Sequence, residues 1–234
     1  MEIPFTANEG KSLVIDTDYG SFARYPIKTH VITKDDTMEE IIDKYVKDYL
    51  DEGDTIIISE KIVAITQGRA FPIEEIKVSL LAKILSRFVI RTSYGVGLAA
   101  PQSMELCIRD VGRIKVIFAA ICAGIGKLFG KRGVFYNICG MKARAIDGPS
   151  KDNVPPYDHY AKMAPDKPDE AAKHLMDYTG VDVVIIDAND IGLNVLGKSR
   201  KDDDLEKFAT QVFRDNPLDQ GLLQTPIAIV RKAS

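Results

Sequence analysis

Apolar residues fall in short dense runs between acidic and glycine-rich turns. The densest run, Val183-Val184-Ile185-Ile186, passes straight into Asp187-Ala188-Asn189-Asp190. Four consecutive β-branched residues read as a strand buried on both faces. Its carboxyl end then carries Asp187 and Asn189 out of an apolar core, where α/β proteins commonly place metals, phosphates and catalytic groups. Residues 55–59 read as a further buried strand, 226–230 as a final strand, and residues 13–15 and 28–32 as short ones. Met38, Ile41, Ile42, Tyr45, Val46 and Tyr49 recur at helical spacing, with Asp36 and Glu39 as a capping-box pattern. Residues 61–66 continue apolar after the 55–59 strand, up to a turn at Gln67-Gly68-Arg69.

Helices are also expected over 72–89, 104–111, 116–128, 168–178 and 203–214, with Gly180 stopping the fourth. Residues 134–138 suggest a strand. Lys198, Arg200 and Lys201 beside Asp202–Asp204 suggest a solvated loop, and residues 147–167, rich in proline, a long loop of the kind that is either functional or disordered.

Composition narrows the class. The chain has 234 residues, 45% apolar and 28% charged, as expected of a soluble globular protein. That length suits one large domain or two small ones, with a core ample for either. A net charge of −3 gives no overall field toward nucleic acid or an anionic membrane, so neither is expected as a partner. The longest apolar run, 116–126 between Lys115 and Lys127, is too short to span a bilayer. Cys107, Cys122 and Cys139 are odd in number and lack CxxC spacing, so the expected setting is the reducing cytoplasm.

The candidate chemistry rests on acids. Asp187 leaves a buried strand. Asp147 follows a small apolar stretch and precedes Gly148-Pro149, a position at which an acid most often satisfies turn amides. Two carboxylates from separate loops suit a hard divalent cation, Mg²⁺ or Mn²⁺. Gly95, Gly97, Gly133 and Gly140 match no Walker A or GxGxxG pattern. His30, His159 and His174 do not cluster; His159, flanked by Tyr157 and Tyr160, is a candidate substrate contact.

Taken in order, four segments resemble the coenzyme F420-0:glutamate ligase family. They are Asp51 through Arg69, Ala145-Ile146-Asp147 through Asn153, Ile186-Asp187-Ala188-Asn189, and Asp219-Gln220-Gly221 followed by Pro226-Ile227-Ala228-Ile229-Val230-Arg231. The resemblance implies a divergent member: an intertwined homodimer of α+β chains, each a single ligase-like domain over 1–234 with two subdomains at about 1–150 and 151–234. It implies an enzyme that joins L-glutamate to a small-molecule carboxylate, using GTP or another nucleoside triphosphate and a divalent metal, through an acyl phosphate. It also implies site roles. Asp147, Asp187 and Gln220 would be metal ligands. Ser59, Lys61, Asn153 and Asn189 would meet the nucleotide, and Arg69 and His159 the substrate.

The departures are equally specific. The family's Ser-Lys before the turn is Ala64-Ile65 here, and its Glu is Gln67. The hydroxyl residue after the second acid is Ala188, and the first acid's motif is lengthened and carries Pro149. These changes leave open a non-ligase member of the same fold that binds metal and a phosphorylated ligand or nucleotide. A purely structural or interaction module is the third reading.

Overall fold

The computed structural model describes residues 4–89, 97–151, 153–189, 192–218 and 222–233. From the amino end it forms β1 (Val14–Thr17), β2 (Gly20–Ile27), α1 (Met38–Tyr45), β3 (Thr55–Ser59), α2 (Glu60–Thr66), β4 (Ala70–Pro72) and α3 (Leu80–Ser86). There follow α4 (Pro101–Val111), α5 (Arg113–Leu128), α6 (Val134–Cys139), α7 (Met141–Arg144) and β5 (Tyr160–Lys162). The chain closes with α8 (Pro168–Thr179), β6 (Asp182–Asn189), β7 (Gly192–Lys198), α9 (Asp203–Val212) and β8 (Ile227–Lys232). The class is mixed α+β. Two compact units result, one from residues 1–67 with 165–234 and one from 68–164. The chain crosses between them at 67/68 and 164/165.

The first unit is built on a six-stranded sheet in the order β1-β2-β8-β3-β6-β7. At its centre β3 runs parallel to β6 and antiparallel to β8. Ile56, Ile57, Ile58, Val183, Val184 and Ile185 are fully buried, so both faces of these strands are covered. One face packs Ile57, Val184, Ile186, Ala228 and Val230 against Leu205, Ala209 and Val212 of α9. On the alternate pleat lie Ile56, Ile58, Val183 and Ile185, while α8 packs on β6 and β7, and α1 on α8. Each such isoleucine contributes roughly 2 kcal/mol by burial.

Local signals explain the ends of the elements. Thr37 caps α1, its hydroxyl accepting from the Glu40 amide at 3.3 Å while Glu40 accepts from the Thr37 amide at 3.1 Å. The capping box is thus one residue later than the expected Asp36/Glu39. Asp36 instead accepts from the Thr33 amide at 2.7 Å and pairs with His30 at 2.9 Å. Gly180 closes α8 at φ +80°, where a side chain would be strained.

Several expected elements are corrected. Residues 28–32 are not a strand; β2 ends at Ile27. Residues 61–66 belong to helix α2, and 134–138 form helix α6 rather than a strand. The 72–89 helix shrinks to α3 after a 3₁₀ turn at Ile73–Glu75. Lys198 ends a strand, β7, that alternation did not reveal. Within the 147–167 loop lies β5, paired with β4.

β7 approaches α8 very closely. The β6–β7 register shifts between Ile185 and Ile186, and Gly197 lies opposite Ile185. A Cβ on Gly197 would stand 2.4 Å from the Pro168 carbonyl carbon and oxygen. Backbone cannot yield as a flexible side chain does, so Gly197→Ala is expected to lose about 2–3 kcal/mol and roughly 5 °C in Tm. A thermal melt checks this; an unchanged Tm would refute the close packing.

The second unit is mainly helical. Ser79 caps α3, its Oγ accepting from the Ala82 amide at 3.2 Å. Pro101 opens α4, and the single residue Gly112, at φ +97°, turns α4 into α5. Ala82, Leu98, Met104, Cys107, Val116, Ala119, Cys139 and Ile146 form its core.

Candidate functional site

In the first unit the site follows from strand register. Ser59 of β3 lies beside Ile186 of β6 in the parallel pair, so the two carboxyl ends stand together. One residue past Ile186 comes Asp187; one past Ser59, α2 begins. Lys61 is the second residue of that helix. Ser59 also donates its amide to the Pro226 carbonyl at 2.8 Å, which brings the start of β8 to the same edge. Ser59, Lys61 and Asp187 are all half-buried, and Asn189 ends β6. Of the first unit's candidates, the register therefore gathers Ser59, Lys61, Asp187 and Asn189 at adjacent chain ends. Gln220 lies outside the described residues.

Asp187 shares its pleat with Val183 and Ile185. Ala188 points the opposite way, into the cluster of Leu205, Ala209 and Phe213. An alanine fits that apolar surface, where a hydroxyl would need a partner. Ile65 is likewise buried in α2, 4% exposed. Gln67 donates Nε2 to the Asp166 carbonyl at 3.0 Å and accepts the Asp166 amide at 2.7 Å. A glutamate carboxylate cannot make both bonds.

The second unit holds Arg69, Asp147, Asn153 and His159. Asp147 and Lys162 exchange backbone hydrogen bonds of 3.1 and 3.0 Å. The Lys162 ammonium, on a side chain only 5% exposed, stands 3.4 Å from Asp147 Oδ2 and donates to the Ala145 carbonyl at 3.2 Å. Asp147 itself is half exposed. Sequence reasoning missed Lys162. The available signal was a lone lysine between Ala161 and Met163, inside a segment read as loop. A buried ammonium beside a half-exposed carboxylate can meet an anionic ligand as a point charge.

Asn153 closes a turn, its amide donating to the Ser150 carbonyl at 3.1 Å and its side chain to the Tyr157 carbonyl at 3.4 Å. Gly148 is confined; a Cβ there would meet Ser103 Oγ at 3.1 Å. Arg69 donates Nε to the Ala164 carbonyl at 2.5 Å and Nη2 to buried Asp110 at 2.6 Å, contacts that fix the guanidinium in place. His159 is exposed and 3.3 Å from Asp158. His30 lies in the first unit, bonded to Asp36 and Tyr45. His174, also there, is exposed beside Glu39.

Burial, together with Cys139 and Asp110 nearby, pushes the Cys107 thiol up to about 12, which keeps it protonated and unsuited as a nucleophile. Among the described residues no group of three or more His, Cys, Asp or Glu side chains is arranged to hold a metal ion.

A family model described as F420-0:Gamma-glutamyl ligase matches residues 26–191, more than half of the chain. A comparison with curated proteins found no match.

Proposed function

The chain belongs to the F420-0:gamma-glutamyl ligase family, and from that membership we propose that it joins the amino group of L-glutamate to a small-molecule carboxylate. A nucleoside triphosphate, GTP or another, would drive the step. The acceptor carboxylate takes the γ-phosphoryl group and releases the diphosphate; the glutamate amine then displaces phosphate and leaves an amide. The family match carries this reading. The register that sets Ser59 and Lys61 beside the end of β6 supports it.

Ser59 and Lys61 are assigned to phosphate, where one hydroxyl and one ammonium stabilise negative oxygens. Asn189 and Asn153 are assigned to the nucleotide in their own units, and Arg69 and His159 to substrate. The donors present fit a hard divalent cation such as Mg²⁺ or Mn²⁺, since carboxylate oxygens are its preferred ligands. Asp187 is a proposed donor in the first unit and Asp147, beside Lys162, in the second; Gln220 would add an amide oxygen. Such a cation, when bound, neutralises phosphoryl oxygens. A homodimer is part of the same proposal.

Two observations favour a second reading, a non-ligase member binding metal and a phosphorylated ligand. Ile65 is buried where the ligase resemblance expects a nucleotide lysine, and Ala188 faces the core.

Thermal shift with Mn²⁺ and GTP or ATP tests both readings. At 100 times Kd a ligand stabilises by about 2.7 kcal/mol, a rise of several degrees in Tm. No shift with any nucleotide and metal would sink the ligase reading, and no shift with Mn²⁺ alone or with a phosphorylated ligand would sink the second. Glutamate-dependent release of diphosphate marks the ligase; phosphate release indifferent to glutamate marks the second reading.

A further inference from the structure

Helix α5 turns its large apolar residues the wrong way for a helix in water. Its buried positions are Val116, Ala119 and Gly126. Its exposed ones are Ile114, Ile117, Phe118, Ile121, Ile125 and Leu128, and Phe129 follows, 76% exposed. Spacings of three and four put the helical set on one stripe. A stripe this apolar normally faces a core. Here the opposite side of the helix, lined by small residues, meets the core of the second unit. Helix α3, which packs on the same core, also exposes Leu80 and Ile84, and Phe88 just after it is exposed as well.

Charge identifies what covers the stripe. The chain carries −3 overall. Between Arg113 and Gly133, however, stand Arg113, Lys115, Lys127, Lys131 and Arg132, all exposed, and no acid. The cations lie at both ends of the stripe. A second copy packed antiparallel along α5 would therefore set Arg113 and Lys115 against Lys127 and Lys131, and a parallel copy would set like charges against each other. Either arrangement is repulsive unless counter-charge intervenes. An anionic lipid surface supplies both missing partners: acyl chains for Phe118 and Ile121, and phosphate for the lysines.

We propose that α5 and the segment to Arg132 lie in the headgroup layer of an anionic phospholipid membrane, apolar stripe inward. The mode is surface attachment. At 16 residues α5 is about 24 Å long, short of the roughly 30 Å hydrocarbon core. Among the described residues no helix is long and apolar enough to cross a membrane. Large apolar residues on one side with flanking Lys and Arg are the features of an interfacial helix.

Co-sedimentation of the full chain with vesicles tests this. One set is pure phosphatidylcholine; the other contains 30–40% phosphatidylglycerol, a range chosen to give an anionic surface of substantial charge density. Binding is expected to the anionic vesicles alone and to weaken with added salt. Phe118→Glu with Ile121→Glu, and separately Lys127→Glu with Lys131→Glu, are expected to weaken it about tenfold or more. All four positions are exposed, so Tm and circular dichroism should stay unchanged, which separates lost binding from lost folding. Absent binding to either vesicle, or equal binding by the variants, overturns the proposal. So does concentration-dependent self-association that Phe118→Glu abolishes without any vesicle binding, since that assigns the stripe to a second copy.

Discussion

Asp215→Ala is expected to destabilise the protein by about 3 kcal/mol, the lower end of the range for breaking a buried ion pair, and to lower Tm by roughly 10 °C. Arg24 sits on β2 with its side chain fully buried, facing Asp215 just beyond α9. Its Nη1 donates to Asp215 Oδ1 and to the Val212 carbonyl at 3.0 Å, and its Nη2 to Asp215 Oδ2 at 3.1 Å and to the Ser12 carbonyl at 2.5 Å. One guanidinium therefore ties β2, the chain entering β1 and the end of α9. Truncating Asp215 leaves that cation buried without its counter-charge, while its Nε already has no hydrogen-bond partner among the described residues. Because Asp215 is 39% exposed, water compensates part of the loss.

The same pair sets an acid dependence. Burial alone would raise the Asp215 carboxyl, but hydrogen bonding and charge from Arg24 outweigh it and hold the group below its ordinary 3.8. A carboxyl depressed on folding stabilises the protein fully above its unfolded value, and that stability is lost as pH falls through the folded value. Wild type and Asp215→Ala should thus differ most near neutral pH and converge below about pH 3.8. Urea titrations of Asp215→Ala, Arg24→Met and the double variant provide the check. The double variant should recover part of the loss, because replacing both charges removes the orphan. A single-variant loss under 1 kcal/mol would show that the pair carries little stability.

Arg24 also shows why part of the fold was hard to read. A fully buried arginine interrupts the apolar pattern of β2, so the sequence suggests strands on either side of it, at 13–15 and 28–32. In contrast, β3, β6 and β8 are legible because both faces are covered and the residues are β-branched. The failures share a cause. In α2, Glu60, Ile62, Val63, Ala64 and Ile65 are all buried, so no polar face reveals the helical period, and the segment reads only as apolar chain continuing past the strand. In α6, Val134, Phe135, Tyr136 and Ile138 carry strand propensity, but packing on α5, with Val134 Cγ2 only 2.9 Å from where a Gly126 Cβ would stand, overrides it. Net charge hid the basic stretch of α5 by averaging it with acids elsewhere.

The candidate site divides the same way. Asp187 is legible because a strand core points to it. Lys162 is not, because its meaning comes from a bridge to Asp147 fifteen residues back, which no local pattern encodes.

Asp187→Asn is expected to leave stability within about 1 kcal/mol of wild type while cutting glutamate-dependent nucleotide turnover about 100-fold. Asparagine keeps the volume and one acceptor oxygen, and the side chain is half-buried at a strand end, opposite Asn194 of β7. Little packing is disturbed. What disappears is a full negative charge at the edge where β3 and β6 end together. A 100-fold loss corresponds to about 2.7 kcal/mol, the size expected if Asp187, as proposed, helps hold a divalent cation against phosphoryl oxygens. Asp187 and Asp215 thus carry opposite predictions: the carboxylate clamped against a buried cation is expected to support the fold, whereas the proposed metal donor at the end of a buried strand is expected to support the chemistry. Mn²⁺ binding, followed by the electron paramagnetic resonance signal of the free ion, should weaken in Asp187→Asn. A variant that melts higher than wild type and binds Mn²⁺ and turns over nucleotide unchanged would reduce Asp187 to an acid that merely ends a strand.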